Sequence, residues 1–230
     1  MRIVPVIDLK GGVVVHARRG RRDEYAPLLS PLVDGCEPVA VARALCTICA
    51  TTTLYAADLD ALAGRPVDET TLAALAAGWE PWVDAGATSP ERAAALRRAG
   101  VARNVIGTES LEPGPPAGAG GTPPVALSVD LRDGRLISRD PLLAGKPPAA
   151  AAPLARSLNV DELLVIDLAR VGSGSGPPLD AVAQLAKALP DVAIYAGGGV
   201  RDDADLRALE SAGAAGALVA TALHEGRLTL

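Results

Sequence analysis

Short runs of aliphatic and β-branched residues recur along the chain, and Ala/Leu-rich stretches at helical spacing separate them. That alternation marks βαβ units and a parallel sheet. It predicts strands at residues 3–8, 53–58, 81–84, 104–106, 125–130, 163–167, 193–196 and 217–220. Helices are predicted at about 38–50, 69–77, 90–99, 149–158, 179–189 and 203–212, with a short turn at Leu223. Ser89, Asp161 and Asp202 stand where a helix or turn begins, because short polar side chains accept the unpaired N–H groups of a first turn. Gly100 and Gly213 stand where the third and seventh helices stop. After the fourth strand the pattern fails. The segment PGPPAGAGGTPP at 113–124 cannot hold a helix, since proline lacks the N–H donor and glycine loses too much entropy. Eight strands with a degenerate fourth helix predict an α/β fold, a (β/α)8 barrel in a single domain over 1–230.

An internal repeat divides that barrel into half-barrels at about 1–112 and 124–230. Shifted by 113 positions, 82–108 falls on 195–221 without a gap, so that Gly86 meets Gly199, Leu96 meets Leu209, Gly100 meets Gly213 and Thr108 meets Thr221. Asp8-Leu9-Lys10-Gly11-Gly12 matches Asp130-Leu131-Arg132-Asp133-Gly134 at a shift of 122, and Asp58-Leu59 matches Asp167-Leu168 at 109. Three blocks in the same order at similar shifts argue for a duplication.

Composition narrows the class. The 230 residues suit one large barrel, and 49% hydrophobic content is ample for a core, yet aromatics make up only 2% and Phe is absent. Ala, Val, Leu and Ile must therefore fill it. A net charge of −5 argues against a general nucleic-acid or anionic-membrane binder. No apolar run reaches the ~18 residues that a bilayer needs, and MRIVPVIDLK at the N-terminus reads as a strand, not a secretory signal. Cys36, Cys46 and Cys49 lack a second Cys/His pair, so buried reduced thiols are expected over a metal or redox site. His16 and His224 have no neighbours at ligand spacing. A cytoplasmic chain without metal or organic cofactor is expected.

In such barrels chemistry sits at the C-terminal ends of the strands. Asp8, Asp58, Asp130 and Asp167 end the first, second, fifth and sixth strands. One such Asp usually caps a turn. Asp8 and Asp130, in repeat-equivalent places on facing strands, suit a division into general acid and general base. Gly197-Gly198-Gly199 after strand seven and Ala220-Thr221 after strand eight suit a phosphate cradle, and Gly107-Thr108 offers the counterpart in the first half. Asp58 and Asp167 are expected to contact substrate. Arg19, within Arg18, Arg19, Arg21 and Arg22 above the first strand, could close over an anion. Trp79 and Trp82 are expected in outer packing between strand and helix, and Gly172–Gly176 (GSGSG), with Ser173 and Ser175, in an exposed loop.

The motifs VIDLKGG (6–12), ADLDALAG (57–64), IGT (106–108), SVDLRDG (128–134), AGGGVRDDADL (196–206) and ALVATALHEGRL (217–228) resemble the histidine-biosynthesis barrels over nearly the whole chain. These are the isomerase acting on a phosphoribosyl-formimino-aminoimidazole carboxamide ribotide and its sister cyclase. The resemblance implies that Asp8 and Asp130 are the acid/base pair of an Amadori-type rearrangement of a phosphorylated small molecule, with a phosphate site in each half and no cofactor. The chain departs from the isomerase pattern at several places. It has Asp84-Ala85-Gly86-Ala87-Thr88 in place of a glycine-rich segment, Ile166 for Thr, Val171-Gly172 for Asp-Gly and Ala220 for Gly, and it lacks a Gly-Trp after strand five. With the loop at 16–25, these departures resemble a third branch, the isomerase/cyclase-like proteins of archaea and methylotrophic bacteria, which implies a role in methanopterin- or methanofuran-type one-carbon cofactor pathways. Sequence favours that branch over the histidine isomerase, with a non-catalytic metabolite-binding barrel as the third alternative. Asp84 at the rim would repel a phosphate dianion.

Overall fold

The computed structural model describes residues 1–86, 89–114 and 123–229. Eight parallel strands close into a barrel: β1 (Arg2–Lys10), β3 (Thr53–Asp58), β4 (Glu80–Asp84), β5 (Arg103–Gly107), β6 (Val125–Arg132), β8 (Glu162–Asp167), β9 (Ala193–Gly197) and β10 (Gly216–Val219), with β10 pairing back onto β1 from Arg2↔Gly216 to Pro5↔Val219. All eight predicted strands are present, displaced at most by two residues at an end. Around them run α1 (Pro38–Ile48), α3 (Glu69–Ala76), α4 (Pro90–Arg98), α5 (Ala152–Ser157), α6 (Leu179–Ala188) and α7 (Asp203–Ser211), with the one-turn helices α2 (Leu59–Leu62) and α8 (Thr221–His224) at the ends of their strands. The fold is the expected (β/α)8 barrel.

Two antiparallel additions escaped the sequence pattern because they are so short. β2 (Val13–Val15) folds back on β1 and β7 (Arg135–Leu136) folds back on β6. Each hairpin turns through left-handed residues, Gly11-Gly12 in one and Asp133-Gly134 in the other. Most of the 113–124 segment lies outside the described residues; before it, β5 ends in a single 3-10 turn at Thr108–Ser110.

Ser89 and Asp202 cap α4 and α7 as expected, and Gly100 and Gly213 follow those helices at positive φ. Asp161 does not start a helix. Its carbonyl accepts from the Ala193 N–H at 2.9 Å and its carboxylate from Arg103 at 2.7 Å, because the apolar run after it is a strand.

Side chains alternate along each strand, so two cores form. Ile7, Val83, Ile106 and Val165 face the helices, while Val4, Tyr55, Val105, Leu164 and Leu218 fill the barrel. The N-terminal end of the barrel is plugged by the large polar and aromatic residues. Trp82 meets Tyr195 edge-on at 5.0 Å, with the guanidinium groups of Arg2 and Arg103 at 5.5 and 5.6 Å from the Trp82 ring. Glu162 bridges both arginines. Trp82 thus packs inside the barrel and not outside as expected, since its strand position shares the inward parity of Asp84; Trp79 packs against the outer core. Among the described residues no helix is long and apolar enough to cross a membrane.

Candidate active site

The inward parity that places Val4, Tyr55 and Trp82 in the barrel places Asp8, Asp84 and Asp130 at its C-terminal mouth. All three line a cavity of about 270 Å³, together with Arg22, Tyr25, Tyr55 and Glu109. Asp84 and Asp130 are buried at 3% and 4% exposure, and Gly107 between them makes room: a Cβ there would stand 3.0 Å from Asp84 Oδ2 and 2.7 Å from Asp130 Oδ2. Asp130 Oδ1 accepts from the Ser128 hydroxyl at 2.6 Å and Oδ2 from the Glu109 N–H at 3.2 Å. Asp84 Oδ1 accepts from the Gly86 N–H at 3.1 Å.

The mouth holds more carboxylate than cation. Burial raises Asp8 to about 7, with Arg22 opposing. Burial also raises Asp84 to about 7, with the charge of Glu109 adding to the rise. Asp130 is pushed well above the usual carboxylate range by burial, then by Glu109 and Asp84; its two hydrogen bonds only partly compensate. Arg22 reaches in from the loop after β2 and is engaged by Glu109. Burial and the nearby Asp8 push the Tyr25 phenol up to about 12. These environments leave one carboxyl poised to give a proton and others able to take one near neutral pH, the separation that acid/base chemistry requires.

Gly198, Gly199, Ala220 and Thr221 line the same cavity, and α8 begins there without a side-chain cap. Gly198 and Gly199 have φ of +93° and +85°, and a Cβ at either would strike Asp167 O at 2.7 Å or Gly176 O at 2.4 Å. Glycine is required there by the loop behind as well as by any ligand in front.

The first half is built differently. Gly107 lies under the carboxylates, and the buried Thr108 hydroxyl accepts from the Asp130 N–H at 2.9 Å, so neither lines the cavity. Arg92 donates to the carbonyls of Ala61, Ala85 and Arg65 and ties three segments of that rim together. Asp84, expected at the rim, stands instead beside Asp130 at the centre.

Asp58 and Asp167 do not reach the cavity. Their parity turns them outward, where Asp58 accepts from the N–H groups of Ala61 and Asp68, and Asp167 from those of Gly134 and Ala169. Both are turn caps. Arg19 is also displaced: its backbone N–H donates to Val171 O at 2.8 Å at a φ of +50°, and its side chain is exposed. That bond clasps the loop after β2 to the loop after β8, and it is Arg22 that turns inward. Sequence reasoning left out Glu109, Tyr25 and Tyr55. The place of Glu109, two residues past the glycine ending β5, was the available signal. Burial holds the thiols of Cys46 and Cys49 protonated, at about 12 and 11.

A family model described as "Histidine biosynthesis protein" matches residues 2–229. A relative from Acidithiobacillus ferrooxidans is 33% identical over 239 residues, covering 99% of this chain and 96% of its own. One from Rubrobacter xylanophilus is 35% identical over 242 residues, covering 99% and 93%. Both are named 1-(5-phosphoribosyl)-5-((5-phosphoribosylamino)methylideneamino)imidazole-4-carboxamide isomerase. An uncharacterized protein of Methanocaldococcus jannaschii is 30% identical over 237 residues, covering 100% and 96%.

Proposed function

The chain belongs to the histidine biosynthesis protein family, and on that premise we propose that it is an isomerase, as its relatives are named, and that it converts a phosphorylated aminoaldose into the aminoketose without a cofactor. The observation that carries this reading is the mouth itself, where half-buried Asp8 and buried Asp130 have unlike environments. Asp130, kept protonated by burial and by its carboxylate neighbours, gives its proton to the sugar ring oxygen as the C1–O bond breaks and the amine nitrogen forms a C=N bond. Asp8, near neutrality beside Arg22, takes the C2 proton, leaving an enaminol. Proton return to C1 and loss of the C2 hydroxyl proton complete the ketose and restore both carboxyls. Atoms and charge balance without an external oxidant or metal.

The one-carbon cofactor assignment gains no support from the relatives, because the Methanocaldococcus jannaschii relative carries no stated activity while several others, one from Halobacterium salinarum among them, are named as the isomerase. The histidine-pathway reading replaces it. The matching hairpins on β1 and β6 support an origin by duplication of a half-barrel, and a biosynthetic enzyme of this kind would work in the cytoplasm. Purified chain should turn over the ribotide named for the relatives, and its gene should restore growth to a histidine auxotroph lacking the isomerase. A folded chain that does neither would sink the reading.

A further inference from the structure

The mechanism uses no histidine, yet both histidines of the chain line the cavity. His224 ends α8 at 8% exposure, three residues after Thr221 and so on the same side of that turn. Its Nδ1 is engaged by the Ser30 hydroxyl at 2.8 Å, leaving Nε2 as the ring nitrogen for a ligand. His16 follows β2, anchored by its N–H to Ala26 O at 2.9 Å, and lies close enough to His224 for their charges to interact. Both are held below the ordinary imidazole value, first by burial; Arg18 adds to this for His16, and His16 for His224, while Glu225 opposes it for both. Arg227, paired with Glu225, lines the same end.

Two imidazoles held neutral line one cavity with the Gly198-Gly199 turn and Thr221, and a dianion settling there would complete the site. We propose that His16 and His224 are binding residues of the second-half phosphate site, taking up a proton when an anion settles against Gly198, Gly199 and Thr221. This rests on the isomerase reading only for the natural ligand being a phosphate. The proton is drawn from solvent because the anion offsets the cost of a buried imidazolium. Capture is therefore tightest on the acid side of neutrality and weakens as pH rises. Glu225 limits the positive charge, and its pairing with Arg227 keeps it from cancelling the effect.

Sulfate tests this, because it stays a dianion from about pH 6 to pH 8 while imidazole titrates between them. Calorimetric titration of sulfate into the full chain should show binding about tenfold tighter at the lower pH, with net proton uptake revealed by buffers of different ionisation enthalpy. His16→Gln and His224→Gln should each reduce that pH dependence, and the double variant should abolish it. If the buried His224→Gln fails to fold by circular dichroism, His16→Gln and Ser30→Ala decide the matter through the same proton count. Wild-type binding that is absent or independent of pH overturns the proposal, as does a pH dependence unchanged in the variants. Sulfate is not a substrate. A chain that behaves as expected here but turns over no ribotide would discard the isomerase reading alone.

Discussion

The carboxylates of Asp84 and Asp130 meet over the bare Cα of Gly107, whose missing Cβ would lie 3.0 Å from one and 2.7 Å from the other. Gly107 has an ordinary extended φ of −81°, so backbone conformation does not demand glycine there. Space for two buried acids does. Gly107→Ala should leave the circular dichroism spectrum intact yet lower kcat by at least ~10-fold, since a misplaced acid loses the orientation that catalysis depends on. Unchanged turnover would show that neither carboxylate's position matters.

The same closeness makes the folded state sensitive to pH. Asp84, raised to about 7 from its ordinary value of 3.8, binds a proton more tightly folded than unfolded. Its contribution is therefore fully present below about pH 4 and lost as pH rises through 7. Asp84→Asn should stabilise the chain at pH 8 by about 2 kcal/mol, discounted for relaxation from the full ~1.4 kcal/mol per pH unit, a Tm rise of roughly 4–8 °C. At pH 4 the gain should vanish. A variant equally stabilised at both pH values would point to packing as the cause.

Catalysis should follow the opposite pair. Asp8→Asn and Asp130→Asn should each cost ~10²-fold or more in kcat while folding normally. With Asp8 as base near 7 and Asp130 as acid well above the carboxylate range, kcat/KM should rise through about pH 7 and fall at higher pH. Full activity in either variant would remove that residue from the chemistry.

The barrel was legible in the sequence because each buried strand is a short apolar run bounded by turn signals, and tertiary closure adds nothing that contradicts it. The site was legible only down to strand ends. Asp8, Asp58, Asp130 and Asp167 look alike in one dimension, but one residue of phase along a strand separates an inward carboxylate from an outward turn cap. Asp8 and Asp130 face in; Asp58 and Asp167 face out and spend their oxygens on backbone N–H groups. Trp82 followed the same rule into the barrel. Arg22 and Glu109 could not be assigned, because loop side chains have no period, and only the fold brings residues 87 positions apart into one ion pair.

The plug at the far end of the barrel gives a stability test separate from catalysis. Glu162 bridges Arg2 and Arg103 beneath Trp82. The cluster is part-buried, so removing its shared carboxylate leaves the Arg103 guanidinium poorly partnered, and Glu162→Ala should destabilise the fold by about 1–2 kcal/mol. Turnover by the protein that remains folded should change little, since the plug and the mouth are at opposite ends of the strands. A large kcat loss at full folding would tie the plug to the site.

The mouth should accept one phosphate more readily than two. The family resemblance implies a cradle in each half of the barrel, but the two halves of this chain present different residues. The second half presents Gly198, Gly199 and Thr221 to the cavity, which His16 and His224 also line. The first half presents Asp84, keeps Thr108 buried on the Asp130 N–H, and commits Arg92 to three backbone carbonyls. Above about pH 7, where Asp84 is ionised, a carboxylate ~4 Å from a phosphate repels it by ~1 kcal/mol per unit charge even at the dielectric of water, and by more in a dry cleft. Arg22 offers little relief, because Glu109 already engages it. Crystals soaked in sulfate should therefore show an anion against Gly198, Gly199 and Thr221 and none beside Asp84. Asp84→Gly should raise the affinity for the bisphosphorylated ribotide more than for a monophosphorylated analogue. An anion bound directly beside Asp84 in the wild-type chain, or equal occupancy in the two halves, would sink the asymmetry.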